Sequence, residues 1–159
     1  MSGSPPLPRW IRKLCLALRE NKPTLVKLDL HVGFTVDDRI AIALAEALQS
    51  NSTVTEINLR LDCVQIDGIG RLGEMLAKNK TIAMIRFDSD TKTGLCHVFI
   101  LRGPYRYSMA GIVRGLVNNT SVADLTLQDN GIGDEEFESA MKELVKTNQR
   151  SGCCGLPSF

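Results

Sequence analysis

Residues 54–81 read VTEINLRLDCVQIDGIGRLGEMLAKNKT, and this 28-residue stretch changes its hydrophobic period half-way. Ile57 and Leu59 lie two residues apart, the spacing of one face of a strand. The second half carries apolar residues three and four positions apart, as on one face of a helix: Ile69, Leu72 and Leu76. One strand and one helix of this length cannot bury their apolar faces alone, so the stretch predicts a unit that stacks on copies of itself.

Four copies of the strand pattern follow one another in register. They are Leu25-x-x-Leu28-x-Leu30, Val54-x-x-Ile57-x-Leu59, Ile82-x-x-Ile85-x-Phe87 and Val122-x-x-Leu125-x-Leu127. Each is preceded by a helix end of the form Leu-x-x-Asn, at Asn21, Asn51, Asn79 and Asn119. The pattern resembles the leucine-rich repeats of the ribonuclease-inhibitor type over Arg9–Asn148. That resemblance implies an α/β fold, a short right-handed horseshoe arc of about four parallel strands and five helices.

The repeats divide the chain into three parts. A proline-rich lead, residues 1–8, is expected to be disordered. The repeat domain follows at 9–148, and residues 149–159 form a tail without a further strand pattern. Within the domain we expect strands near 26–30, 55–59, 83–87 and 123–127, with an insertion at 91–107.

Composition and charge restrict the class of protein. The 159 residues are 43% apolar and 23% charged, as in an ordinary soluble domain, with a formal net charge of +1. A charge this small argues against nucleic-acid binding through bulk electrostatics. No 18-residue apolar run is present, and the proline-rich start lacks the apolar core of a signal peptide. We therefore expect no membrane association and a cytoplasmic location, with a nuclear one also possible.

The five cysteines show no repeating spacing and do not predict a disulfide framework. Cys15 and Cys63 lie on or beside repeat positions that are usually buried, where we expect them to act as small hydrophobic residues. Cys153 and Cys154 form an adjacent pair in the tail, but no prenylation motif ends the chain, so lipidation is not favoured. No ligand spacing for a metal is present, and no cofactor is expected.

Asparagines recur in two contexts. The repeat family has an asparagine after each strand, and the corresponding positions here are Gly33, Asp62, Asp90 and Asn130, so that ladder of buried amides is damaged. The second context is the helix end, where Asn51 and Asn119 also match the pattern for N-glycosylation. We interpret these two as structural helix-end residues, because the repeat already explains them.

In this fold, the open face of the sheet is where partners usually bind. The outward strand positions are Lys27, Asp29, His31; Glu56, Asn58, Arg60; Met84, Arg86, Asp88; and Asp124, Thr126, Gln128. In parallel register, Lys27 faces Glu56 and Arg60 faces Asp88, so these charges are expected to pair. Two interpretations stay open: a solvated polar surface, or a partner-binding surface with Arg60, Arg86 and His31 as anchors.

The insertion is the second candidate site. Repeat three is 12 residues longer than repeat two, and the excess lies in Thr91–Tyr107. Its end combines two cations with two aromatic residues, a composition frequent in protein interfaces and also suited to stacking on RNA bases: Arg102, Tyr105, Arg106 and Tyr107. Protein contact is the preferred interpretation, ahead of a tolerated insertion and, last, of nucleic-acid binding.

The sequence offers little to catalyse a reaction. It has two histidines and none of the HExxH, GxSxG, P-loop or CxxC motifs. Cys96 and His97 are adjacent, so in a strand they would point to opposite faces. We therefore expect a non-enzyme that binds a protein partner, whose identity the sequence does not give.

The repeat helices favour four families of partner-binding proteins. The stretches AIALAEALQSNSTVTEINL and IGRLGEMLAKNKTIAMIRF look like the carboxy-terminal repeats of tropomodulin. They look equally like ribonuclease inhibitor, the leucine-rich ends of nucleotide-binding innate-immunity receptors, or a Ran GTPase-activating protein. These resemblances imply actin-filament or cytoskeletal binding, or regulation of a small GTPase. The partner-binding residues predicted from the open face and the insertion are Arg60, Arg86, Asp88, Asp124 and Gln128 of the sheet, with Arg102, Tyr105, Arg106 and Tyr107 of the insertion.

Overall fold

The computed structural model describes residues 6–31, 35–61, 63–88, 109–128 and 135–151. Over these ranges strands and helices alternate along the chain. The helices are α1 (Arg9–Arg19), α2 (Asp38–Leu48), α3 (Ile66–Lys78), α4 (Ala110–Leu116) and α5 (Glu135–Ser151). The strands are β1 (Lys27–Leu30), β2 (Glu56–Arg60), β3 (Met84–Asp88) and β4 (Asp124–Gln128).

The four strands form one parallel sheet in the order β1-β2-β3-β4, which is also their order in the sequence. Equivalent repeat positions pair directly: Ile57 lies opposite Leu28 on one side and Ile85 on the other, and Ile85 lies opposite Leu125. Each βα step therefore adds one strand to the sheet and one helix to the layer behind it. The predicted α/β repeat arc is confirmed, while the ribonuclease-inhibitor type of repeat stays a prediction.

Strand and helix bounds differ slightly from the sequence expectation. Each strand begins one residue later than expected, and α5 continues to Ser151, into the segment assigned to the tail. The lead is described only from residue 6. The insertion and residues 152–159 lie outside the described residues, as do Gly33, Asp62, Asp90 and Asn130, the positions of the family's loop asparagine.

The core lies between the sheet and the helices. Alternate strand residues point into it, so Ile57 and Leu59 have no exposed surface and Leu125 is 3% exposed. On α1, the helix without a strand of its own, Trp10 is 38% exposed. The buried stripe is Ile11, Cys15 and Leu18, the i, i+4 and i+7 positions of one helix face.

The helix-end asparagines form a ladder that joins successive repeats. Asn79 is 2% exposed, and its Nδ2 donates to the carbonyl oxygens of Leu48 at 2.8 Å and Asn51 at 3.0 Å. Its Oδ1 accepts from the backbone N–H groups of Thr81 at 2.8 Å and Ile82 at 2.9 Å. One amide thus satisfies polar groups of its own turn and of the preceding repeat.

The same arrangement recurs on either side of Asn79. Asn51 donates to Leu18 O at 2.7 Å, and Asn119 donates to Leu76 O at 2.6 Å. Asn21, the first of the series, has a φ of 52° and accepts from the N–H of Ser52 at 2.7 Å. Because the amide nitrogens of Asn51 and Asn119 are used in this ladder, the folded chain does not offer them as glycan acceptors.

Glycines set the distance between α3 and α4. A Cβ at Gly73 would lie 2.1 Å from the carbonyl oxygen of Gly111, and a Cβ at Gly115 would lie 2.1 Å from that of Gly73. The two helices therefore touch through their backbones. A side chain of any size at Gly73 or Gly115 would push them apart.

The start of α3 is also held by the preceding repeat. Asp38 Oδ1 accepts from the N–H groups of Gln65 at 2.8 Å and Gly68 at 2.9 Å. Asp37 meanwhile caps its own helix by accepting from the N–H of Ile40 at 2.9 Å. These two adjacent carboxylates therefore stabilise the amino-terminal ends of two successive helices, α2 and α3.

Candidate protein-binding face

The side of the sheet away from the helices, called here the open face, carries the third, fifth and seventh residues of each repeat. Burial alternates along β1 and β3, with Lys27, Asp29, Met84 and Arg86 exposed. This alternation follows from the strand period of two residues. It places the polar strand positions on one continuous surface.

The β1–β2 part of the open face is paired within the chain. Lys27 Nζ lies 2.7 Å from Glu56 Oε1 and 3.8 Å from Asp29 Oδ2, which confirms the predicted cross-strand pair. The hydrogen bond that the Lys27 ammonium donates to the Glu56 carboxylate raises the pKa of Lys27 above its ordinary value. Exposed pairs of this kind contribute little to stability, but they leave less free charge for a partner.

A second contact spans the sheet at the carboxyl ends of the strands. His31, the residue after β1, places Nδ1 3.1 Å from Asp88 Oδ2, although Arg60 is the register neighbour of Asp88. The approach is close but lacks hydrogen-bond geometry, and His31 Nδ1, Asn58 Oδ1 and Asp88 Oδ1 have no hydrogen-bond partner among the described residues. This corner of the open face holds polar atoms whose hydrogen-bonding capacity is unused.

In the β3–β4 part of the open face, fewer charged side chains are paired within the described residues. Arg86 and Asp124 are exposed, and within the described ranges neither makes a hydrogen bond or ion pair. Met84 lies 43% exposed between Glu56 and Asp124 in the register. An apolar side chain flanked by free charges of both signs is a composition suited to protein contact.

The structure brings part of the predicted site together. Arg60, Arg86, Asp88 and Asp124 lie on β2, β3 and β4, and Gln128 pairs in register with Asp88. Met84 belongs to the same surface but was not among the predicted site residues, and its exposure could not be read from the sequence. The insertion residues Arg102, Tyr105, Arg106 and Tyr107 lie outside the described residues, so their place in the site stays a prediction.

The two described cysteines behave differently. Cys15 is 4% exposed, its Sγ lies 3.5 Å from the carbonyl oxygen of Ala43, and burial raises the pKa of its thiol. The expectation that Cys63 is a simple hydrophobic residue is wrong, because Cys63 is disulfide-bonded. It is half-buried in the connection after β2 and not in the core, and its partner lies outside the described residues. Spacing gave no signal for this bond.

The described part of the chain contains neither a metal-site cluster nor a membrane-spanning helix. No group of three or more His, Cys, Asp or Glu side chains there is arranged to hold a metal ion. No helix there has both the length and the apolar character needed to cross a bilayer.

Comparisons with known proteins give no family by sequence. No family model matches the chain, and no curated protein matches it. Among solved structures, the chain is similar to actin-binding site 2 of leiomodin-1, with a TM-score of 0.66 and 20% identity, over 98% of this chain and 82% of that one. At this identity the likeness establishes the fold.

A second structure with a related outline is the tropomodulin C-terminal domain from Caenorhabditis elegans. It has 12% identity and a TM-score of 0.48, over 89% of this chain and 95% of that one.

Proposed function

We propose that this chain is a non-catalytic protein-binding module and that its partner is actin. The observation that carries the proposal is the likeness in fold to actin-binding site 2 of leiomodin-1, which extends over 98% of the chain. The repeat helices are compatible with it, since they resemble those of tropomodulin among other repeat families. The absence of catalytic motifs from the sequence agrees with a binding role.

The proposed contact surface is the open face of β2–β4, continued by the insertion. β1 already pairs its Lys27 with Glu56 at 2.7 Å, whereas Arg86 and Asp124 have no such partner among the described residues. Exposed Met84 adds apolar area beside them. The insertion follows β3 in the sequence, and we expect its aromatic and cationic residues to contribute to the same contact.

Co-sedimentation with actin filaments and pull-down of monomeric actin test the proposal. The intact chain is compared with the double variant Arg86→Glu, Asp124→Lys, which reverses two free charges on the open face. We expect actin binding to weaken by about tenfold or more, because reversing these charges removes the electrostatic complementarity of the contact. The melting temperature should hardly change, since both side chains are exposed and unpaired.

The matched control is Glu74→Lys, Lys78→Glu on α3, which also leaves the net charge unchanged and alters two exposed side chains. This pair reverses two charges away from the open face and should leave actin binding within about twofold of the intact chain. The proposal is overturned if the intact chain binds neither filamentous nor monomeric actin. Equal loss in the two double variants would remove the open face as the site.

A further inference from the structure

The first helix carries an unusual concentration of positive charge. α1 has the sequence RWIRKLCLALR, with four cations and no acidic residue in 11 positions, in a chain whose formal net charge is +1. In α3, by comparison, two acidic and two basic residues balance each other. This helix therefore carries a charge of +4, while the rest of the chain is net negative.

Helix geometry gathers these cations on one side of α1. Ile11, Cys15 and Leu18 are buried, which fixes the orientation of the helix. The outward residues Arg9, Arg12, Lys13 and Leu16 follow one another at i, i+3, i+4 and i+7, so they form a single surface, called here the basic face of α1. Leu16 is 55% exposed within it, and Trp10 is 38% exposed at its flank.

The charges on the basic face are not neutralised within the chain. Arg19, beside this face, lies 3.9 Å from Glu46 of α2, a long and exposed pair. Arg9, Arg12 and Lys13 make no ion pair or side-chain hydrogen bond within the described ranges. Three free cations thus surround a half-exposed leucine, the composition of a small interface with an apolar centre and a charged rim.

We propose that the basic face of α1 binds an acidic amphipathic helix of a partner protein. Carboxylates on either side of an apolar stripe would complement Arg9, Arg12 and Lys13 while a leucine-like side chain covers Leu16. Arginine suits this role because its guanidinium binds carboxylates in a bidentate manner. The helix layer holds α1, so this surface is separate from the open face, and the inference does not depend on actin.

Other anionic partners fit the basic face less well. A membrane-binding helix inserts its main apolar stripe into lipid, but the stripe of α1 is buried against the core, which leaves Leu16 for insertion. A helix of 11 residues is about 16 Å long, so it spans few phosphates of a nucleic acid. A peptide helix of similar length matches both the size and the mixed character of the surface.

Fluorescence anisotropy with a designed peptide tests this proposal. The probe is a labelled helix-forming peptide of about 15 residues, long enough to be partly helical, with leucines at one face and glutamates beside them. The control peptide has glutamine in place of every glutamate. The intact chain should bind the acidic probe and not the glutamine peptide, and added salt should weaken binding because the charges are exposed.

Variants then locate the binding surface. Arg12→Glu, Lys13→Glu should weaken binding of the acidic probe by about tenfold or more, and Leu16→Ala by about threefold. Lys78→Glu, Lys80→Glu makes the same change in net charge on α3 and should alter binding by less than about twofold. Circular dichroism melting should be similar for all three variants, since the substituted side chains are exposed.

Three results would overturn the proposal. The first is equal binding of the acidic and glutamine peptides, and the second is equal loss in the α1 and α3 charge variants. The third is that the chain binds phosphatidylserine vesicles but not the acidic peptide, and that Arg12→Glu, Lys13→Glu weakens vesicle binding. The surface would then be a membrane contact. Actin binding by the same variants is measured separately, so failure of one proposal leaves the other intact.

Discussion

At the scale of the residue, Asn79 shows how one side chain connects two repeats. Its amide makes four hydrogen bonds, two to its own turn and two to the preceding repeat, and it is 2% exposed. Asn79→Ala leaves these backbone groups buried and unpaired, so we expect the free energy of unfolding to fall by about 3 kcal/mol or more. Urea denaturation measures the change. Exposed Asn118→Ala is the control and should cost little, and equal effects would contradict the ladder.

Cys15 and Cys63 should differ in how they are alkylated. Burial raises the pKa of the Cys15 thiol, so in the folded chain it should react slowly at neutral pH and become reactive on unfolding. Cys63 is disulfide-bonded and should react only after a reductant is added, whether or not the chain is folded. Peptide mass spectrometry after iodoacetamide treatment under the four combinations of denaturant and reductant distinguishes them. Labelling of Cys63 in unfolded, unreduced protein would contradict the bond.

At the scale of the element, two glycines of α3 provide opposite tests of helix packing. A Cβ at Gly73 would meet the Gly111 carbonyl oxygen at 2.1 Å, whereas a Cβ at Gly70 meets nothing within 4 Å. Gly73→Ala should therefore reduce the free energy of unfolding by about 2 kcal/mol or more by separating α3 from α4. Gly70→Ala should increase it by about 0.5 to 1 kcal/mol, because alanine favours the helix. The same sign for both substitutions, measured by urea denaturation, would contradict this packing.

Elements were predictable from the sequence because their periods are regular. Alternation at Ile57 and Leu59 gave the strand face, and the spacing of Leu72 and Leu76 gave the buried side of α3. The role of Asn79 was only partly predictable. Its recurrence marked the helix end, but a repeated residue does not show that its amide reaches carbonyls 28 and 31 residues earlier in the chain.

At the scale of the whole molecule, the stacking order of the strands and helices could be predicted from the sequence repeats, whereas side-chain contacts between distant residues could not. Lys27 and Glu56 could be paired because parallel register is set by the repeat. The contact of His31 with Asp88 crosses β2 and depends on side-chain reach, which periodicity does not encode. The disulfide bond of Cys63 was also unexpected. Because disulfides persist in oxidising compartments, this bond argues against the cytoplasmic location, which stays a prediction.

The arc as a whole predicts an uneven distribution of binding energy. β1 is joined to β2 by the Lys27–Glu56 ion pair, whereas the insertion follows β3, whose outward side chains are not all paired among the described residues. Tyr105→Ala, Arg106→Ala should therefore weaken actin binding by more than about 1 kcal/mol, roughly fivefold, since tyrosine and arginine dominate interface energies. Co-sedimentation gives the affinity, and the melting temperature should stay nearly unchanged.

The matched comparison for this prediction is Lys27→Ala, His31→Ala at the other end of the open face. These changes remove the Lys27–Glu56 pair and the His31–Asp88 contact. They should have little effect on actin binding, because Lys27 is already paired with Glu56 and His31 lies outside the proposed contact surface of β2–β4. If actin binding survives Tyr105→Ala, Arg106→Ala and is lost with Lys27→Ala, His31→Ala, the site lies at the β1 end. The insertion is then tolerated by the repeat array and does not contribute to the contact.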